Sequence, residues 1–329
     1  MVSSGLVTSL AVTGLLPTTT ASKLKLWPGR SISQVQSMPR SQQQPWRYEV
    51  ENLPEATLHW VSVPAGWQWQ VRAAVAPTGR LPLKDFATPG RTLAILNAGY
   101  FDPANHKTTS HLQVEGKSTG DPQANERLMG NPSLKAFLPA ILNRSEWRRY
   151  QCGLNTQYAI ARHDEPTPMG CDRIDVVGAG PRLLPTITLQ EEAFIDFGPD
   201  GSLVRDPLGA FKPNARSAVG IRADGALLLL MVAQKGEPGK PQAGSGFSLA
   251  QVAEALKRRG AVDALALDGG TSSSLWVQGE EKTLIGKRDA KGAPSVRPVK
   301  SVLELVDLTA GPHTCQSGAI CQEDPRSKL

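Results

Sequence analysis

Between Ser217 and Ala233 the chain presents two apolar segments, SAVGI and ALLLLMVA, separated by a turn centred on Asp224-Gly225. An Asp-Gly pair between apolar runs is the signature of a tight β-hairpin, and the second run is apolar enough to be a buried strand. A chain that must bury such a strand needs a sheet around it. Further strand candidates recur at His59–Val63, Trp67–Ala74, Thr92–Leu96, Arg173–Val177, Val262–Leu267 and Leu275–Gln278, most of them bounded by turn residues. The 31 glycines and 26 prolines are spread along the chain, which suits many short strands better than a helical bundle. One helix stands out, Leu249–Arg259. Ser248 and Gln251 form a capping box, Leu249, Val252, Ala253 and Leu256 make one apolar stripe, and Lys257, Arg258 and Arg259 precede a terminating Gly260. The expected fold class is α+β, with mixed, strand-rich sheets and a few packed helices. No internal repeat, coiled-coil heptad or nucleotide-triphosphate phosphate loop is present in the sequence.

The 329 residues, 40% hydrophobic and 20% charged, suffice for one large or two ordinary domains. The expected organisation is a signal-like segment at residues 1–22, a linker at 23–45 rich in Pro, Ser and Gln, a folded domain at 46–308, and a tail at 309–329 with no assigned role. Gly5–Leu16 is apolar and followed by small polar residues, as in a secretory signal without its basic leader, and it is too short to span a bilayer. Four cysteines pair most naturally as Cys152 with Cys171 and Cys315 with Cys321, two local disulfides that require an oxidising compartment. Both features favour an extracytoplasmic location, with no integral membrane segment. The net charge of +6 is dispersed in clusters such as Arg148-Arg149 and Lys257-Arg258-Arg259, read as solvated surface and helix-end charge. Nucleic acid is therefore not an expected partner, whereas a phosphate-bearing or anionic glycan is compatible.

Three segments place polar groups where strands end. NAGYFD, Asn97–Asp102, follows the strand at Thr92: Asn97 can donate and accept, Gly99 permits close backbone approach, and Tyr100 or Phe101 offers a flat face to a sugar. A turn with its aromatics in the core is an equal alternative. The loop beyond it carries Asp102, Asn105, His106, Ser110 and His111, but its spacing matches no calcium loop and is weak for zinc, so no metal or other cofactor is assigned. His111 stays a candidate acid or substrate contact. Arg216, immediately before the hairpin, has a planar fork that matches two phosphate oxygens, although a surface ion pair is the commoner fate of an arginine. In LDGGTSSSLWV, Leu267–Val277, an apolar strand delivers Asp268 into a glycine turn. There Gly269 and Gly270 could form an anion-binding nest, with Thr271 and Ser272 as further donors, or simply a hairpin with a capping Asp. The sequence lacks an HExxH pair.

Taken in order, NAGYFD, AGPRLL, NARSAVGI, GFSLAQVAEALKRRG, ALALDGGTSSS and RPVKSVL resemble the phosphodiester glycosidase family, from about Val50 to Leu308, and the chain looks like a bacterial member. The resemblance implies a hydrolase that removes a sugar from a sugar-1-phosphodiester. Asn97, Gly99, Arg216, Asp268, Gly269, Gly270 and Ser272 match the family pattern, while Ala98, Tyr100, Ser217 and Thr271 depart from it. Asp268 and Arg216 then become the catalytic candidates, and Asn97, Gly99, Tyr100, His111, Gly269, Gly270, Thr271 and Ser272 the substrate-binding ones. Two other classes compete. A non-catalytic envelope polysaccharide-binding module would use Trp60, Trp67 and Trp69 as stacking surfaces, and a metal-dependent phosphoesterase would lose activity on chelation.

Overall fold

The apolar run found in the sequence is a strand, Leu227–Gln234, and it lies inside a six-stranded antiparallel sheet. The order across that sheet is Arg47–Asn52, Ala56–Val63, Leu227–Gln234, Arg216–Arg222, Ala261–Ala266 and Arg182–Leu184. The computed structural model describes residues 45–66, 68–237, 239–282, 287–288 and 294–310. The signal-like segment, all but the last residue of the expected linker, Trp67, and the expected Cys315–Cys321 pair lie outside the described residues.

Side chains alternate across a strand, so a run apolar at every position must meet a core on both faces. Leu227, Leu229 and Met231 face a core shared by three sheets, and Leu228, Leu230 and Val232 face a second core. The helix Leu249–Arg258 covers that second face with Leu249, Val252, Ala253 and Leu256. Its capping box is present: the Ser248 amide donates to Gln251 Oε1 at 2.8 Å, and the Gln251 amide donates to Ser248 Oγ at 3.4 Å. Gly260 closes the helix by donating to Lys257 O.

A second antiparallel sheet has the order Glu280–Glu281, Leu275–Val277, Thr92–Asn97, Ser301–Asp307 and Trp69–Val75. The third runs Lys117–Gly120, Leu112–Val114, Cys171–Gly178, Ser145–Cys152 and Asn155–Arg162. Leu96 and Leu303 from the second sheet and Trp147 and Val177 from the third meet Val219 and Leu265 from the first, which makes one core of the three. The strand-rich α+β expectation holds at this level. The disulfide Cys152–Cys171 ties paired positions of two neighbouring strands in the third sheet.

Arg148 and Arg149 correct the surface reading. They sit in strand Ser145–Cys152, 0% and 7% exposed. Arg148 pairs with buried Glu146 at 2.7 Å and donates to the carbonyls of Glu165, Arg162 and His163. Arg149 pairs with Asp175 at 2.8 Å, and Asp175 also accepts from the amides of Ala73 and Glu115. Charges so completely partnered can be buried without an orphaned group. Trp60 is corrected too: it is 1% exposed in the second core, with the Arg259 guanidinium 4.4 Å from its ring, so it offers no stacking surface. Trp69 is half-buried and packs against the shared core.

Candidate active site

Four strand ends meet where the first two sheets adjoin: the end of Thr92–Asn97, the start of Arg216–Arg222, the end of Ala261–Ala266 and the start of Ser301–Asp307. The backbone of Ala98 joins two of them, its N–H donating to Ser301 O at 3.0 Å and its carbonyl accepting from Asp268 N at 2.8 Å. Leu267 N donates to Ser217 O, and Gly270 N to Ala215 O, both at 2.8 Å. NAGYFD, NARSAVGI, LDGGTSSS and RPVKSVL, far apart in sequence, therefore converge on one place.

Asn97 is the knot of that convergence. Wholly buried, it donates from Nδ2 to Asp268 O at 2.6 Å, and its Oδ1 accepts from Ser217 Oγ at 2.6 Å and from Ser274 N at 3.0 Å. These bonds hold Asp268, the hairpin and the serine turn together, so Asn97 positions the site. Gly99 is also a packing requirement. Its N–H donates to Ser301 Oγ at 3.0 Å, and a Cβ there would lie 3.0 Å from Gly178 O and from the same Oγ. Gly270 has φ +61°, a left-handed conformation that favours glycine.

Asp268 reaches the surface only in part, and removal of its carboxyl from water pushes its pKa up to about 6, against the opposing pull of the Ser272 hydroxyl, Arg297 and the Gly269 amide. Ser272 Oγ, buried beside it, has no partner of full hydrogen-bond geometry, and Ser273 Oγ is likewise unpartnered. Thr271 is exposed. The carboxylate is thus the under-satisfied charge of the site.

The anion nest expected at Gly269 and Gly270 does not form. The Gly269 amide serves the Asp268 carboxylate and the Gly270 amide serves Ala215 O. The amides of Ser272 and Ser273 close the 3₁₀ turn on Gly269 O and Gly270 O. Arg216 differs from expectation in the same way. Its Nε donates to Phe247 O at 3.0 Å, Nη1 to Leu208 O at 3.0 Å, and Nη2 to Gly209 O at 2.6 Å and Lys212 O at 3.0 Å. The guanidinium is 4% exposed as part of its residue and lies against Gly269, yet its fork is committed to carbonyls of the loop before it. Arg216 and Asp268 do converge, but as clamp and carboxylate.

Tyr100 forms a wall. Its hydroxyl donates to Gly180 O at 2.7 Å, its ring tilts against Phe194 at 5.9 Å, and burial pushes its pKa well above the usual phenol value. Behind it stands a second buried carboxylate, Glu192, which the sequence reading missed. It accepts from Ser145 N at 2.9 Å, Ser145 Oγ at 2.7 Å, Arg182 N at 3.1 Å and Thr188 Oγ1, three of the four on Oε1, so it orders the AGPRLL loop. His111 points elsewhere. Its ring stacks on His163 at 3.5 Å with Nε2 3.1 Å from Leu142 O, and burial, then the neighbouring imidazole, lowers its pKa. Among the described residues no group of three or more His, Cys, Asp or Glu could hold a metal ion, and no helix is long and apolar enough to cross a membrane.

A family model for phosphodiester glycosidases matches residues 91–306, and the chain belongs to that family. Among solved structures it is similar to the zebrafish N-acetylglucosamine-1-phosphodiester alpha-N-acetylglucosaminidase catalytic domain auto-inhibited by its pro-peptide. That match has a TM-score of 0.57 and 17% identity, over 79% of this chain and 82% of that one. A protein from Burkholderia pseudomallei K96243, named as exported, matches with a TM-score of 0.51 and 14% identity, over 76% of this chain and 74% of that one. A hypothetical protein from Synechocystis gives 0.50 and 16%, over 80% and 62%. At these identities the likeness concerns the fold. No curated protein matches the chain.

Proposed function

We propose that the protein hydrolyses sugar-1-phosphodiesters of envelope or extracellular glycans, cleaving between the anomeric carbon and the phosphate oxygen. The observation that carries this reading is Asp268, a carboxylate left short of partners at the point where the family's segments converge. When the anomeric C–O bond breaks, its electron pair stays with the phosphate oxygen and the sugar takes on oxocarbenium character. Water adds to the anomeric carbon, one of its protons remaining on the new sugar hydroxyl and the other passing to the phosphate monoester or to solvent. The departing phosphate is a stable anion, so protonating it gains less than in an ordinary glycoside, and placement of charge dominates. Asp268 works ionised, whether it stabilises the sugar cation or activates the water. Asn97 and Ser217 hold it in place, and Tyr100 bounds the cleft on the Gly180 side.

An extracytoplasmic setting agrees with the disulfide Cys152–Cys171 and with the exported name of the Burkholderia neighbour. The test is turnover of a panel of sugar-1-phosphodiesters by the wild type and by Asp268→Asn. The wild type should release free sugar from at least one member, and the variant should lose about 10³-fold in kcat with its fold intact. Undiminished turnover by the variant would remove Asp268 from the chemistry. A wild type that binds glycan yet releases neither sugar nor phosphate would be a binding module.

A further inference from the structure

With four of the five Arg216 N–H groups donated to carbonyls and the Gly269 and Gly270 amides engaged, the two phosphate holders that the motifs suggested have little left to offer. The cations around the turn can be taken one at a time. Arg144 lies 3.6 Å over the Phe194 ring and donates to Glu192 O at 2.9 Å and Ala193 O at 3.2 Å. Lys300 donates to Ala76 O at 2.7 Å, on the far side of its strand from the turn. Arg297 is different: it is half-buried, acts electrostatically on Asp268, and has no hydrogen bond or ion pair to another of the described residues.

Its place is fixed by the backbone on either side of the site. Val299, two residues on, bridges Leu81 through two hydrogen bonds of 2.9 Å. Ser301, two further on, accepts from Ala98 N through its carbonyl and from Gly99 N through Oγ, while Ala98 O takes the Asp268 N–H. The segment bearing Arg297 and the turn bearing Asp268 are thus pinned to the two polar groups of one residue, Ala98.

We infer that Arg297, not Arg216, is the residue that grips the substrate's phosphate, across the cleft from the carboxylate at the anomeric carbon. The inference rests on the hydrolase reading given above and names the partner that reading lacks. The guanidinium fork matches two phosphate oxygens. As the C–O bond breaks, the leaving phosphate gains a negative charge, so attraction to Arg297 is stronger in the transition state than in the bound substrate, which is what raises kcat. The same cation favours ionised Asp268, so its loss acts on the pH profile as well as on binding.

The experiment compares full-length wild type, Arg297→Gln and Arg297→Lys, with thermal unfolding as the check on folding. On the sugar-1-phosphodiester best used by the wild type, Arg297→Gln should lose about 10²- to 10³-fold in kcat/KM, and its acid limb should move to higher pH. Arg297→Lys should restore the acid limb while recovering only part of kcat/KM, because the charge returns without the fork. Calorimetric titration with inorganic phosphate should show affinity lowered at least about tenfold in Arg297→Gln. Wild-type kcat/KM and phosphate affinity in Arg297→Gln would overturn the inference, as would failure of the wild type to bind phosphate. A wild type inactive on every phosphodiester would sink the hydrolase reading instead, and the phosphate titration would still decide the role of Arg297.

Discussion

The third sheet and the Asp268 turn both bury charge, and they treat it oppositely. In the sheet, Glu146 meets Arg148, His163 and Arg173, while Asp175 meets Arg149 and two backbone amides. In the turn, Asp268 keeps its own Gly269 amide, a poorly aligned serine and the electrostatic pull of Arg297. The first arrangement costs little to keep and has nothing left for a ligand. The second is kept at a cost in stability, shown by a carboxyl pushed up to about 6, and such unbalanced groups mark sites of chemistry. The contrast teaches that burial alone does not pick out a functional charge; the unmet share of its hydrogen-bonding capacity does. Arg216 shows this within the site itself, where a residue expected to hold phosphate donates four of its five N–H groups to carbonyls.

Four substitutions can break or sharpen this contrast. Arg148→Ala should be the most damaging to the fold, by about 3–5 kcal/mol, because it leaves Glu146 buried against a weaker set of partners. Chemical denaturation would measure it, and a loss under 1 kcal/mol would mean that the sheet charges are less interdependent than their geometry implies. Arg216→Lys should cost about 2–3 kcal/mol by orphaning buried carbonyls, and its loss of activity should be the same for phosphodiesters and for any phosphate-free glycoside. A loss confined to phosphodiesters would return Arg216 to the phosphate.

Gly99→Ala should cost about 1–3 kcal/mol by pressing a methyl group on Gly178 O and Ser301 Oγ, with a lowered kcat from the displaced crossing. A full-activity variant of unchanged melting temperature would show that the crossing yields. Asp268→Asn should stabilise, by about 1–2 kcal/mol once its partial exposure is discounted. The sign follows from the raised pKa: the folded protein holds this proton more tightly than the unfolded chain. The carboxyl's cost is therefore absent below about pH 4, grows as pH rises through about 6, and is complete above it. Melting curves of wild type and variant should then coincide in acid and separate at pH 8. Turnover by the wild type, which needs the ionised form, should fall as pH drops through about 6.

The hairpin, the strand into Asp268 and the capped helix were legible because each is a local pattern: an Asp-Gly turn, an unbroken apolar run, a capping box. The strand Ser145–Cys152 was not, since Arg148 and Arg149 read as solvent-facing until their partners Glu146 and Asp175 are known. Trp60 misled for the same reason, its surroundings being Glu51 and Arg259 brought from elsewhere in the chain. Within the site, Asp268 was visible as an acid ending an apolar strand. The roles of Arg216 and the glycine amides depend on the carbonyls of Leu208, Gly209, Lys212, Ala215 and Phe247, which no motif records. Arg297 carried a signal, as the first residue of RPVKSVL, but nothing in the sequence connects it to a turn 29 residues earlier.

Which bond breaks is the most direct test of the central claim, and hydrolysis of a sugar-1-phosphodiester in water enriched in heavy oxygen reads it by mass spectrometry. Attack at an anomeric carbon facing Asp268 places the label in the released sugar and leaves the phosphate unlabelled. Label in the phosphate would mean attack at phosphorus, and would contradict a glycosidase built around that carboxylate.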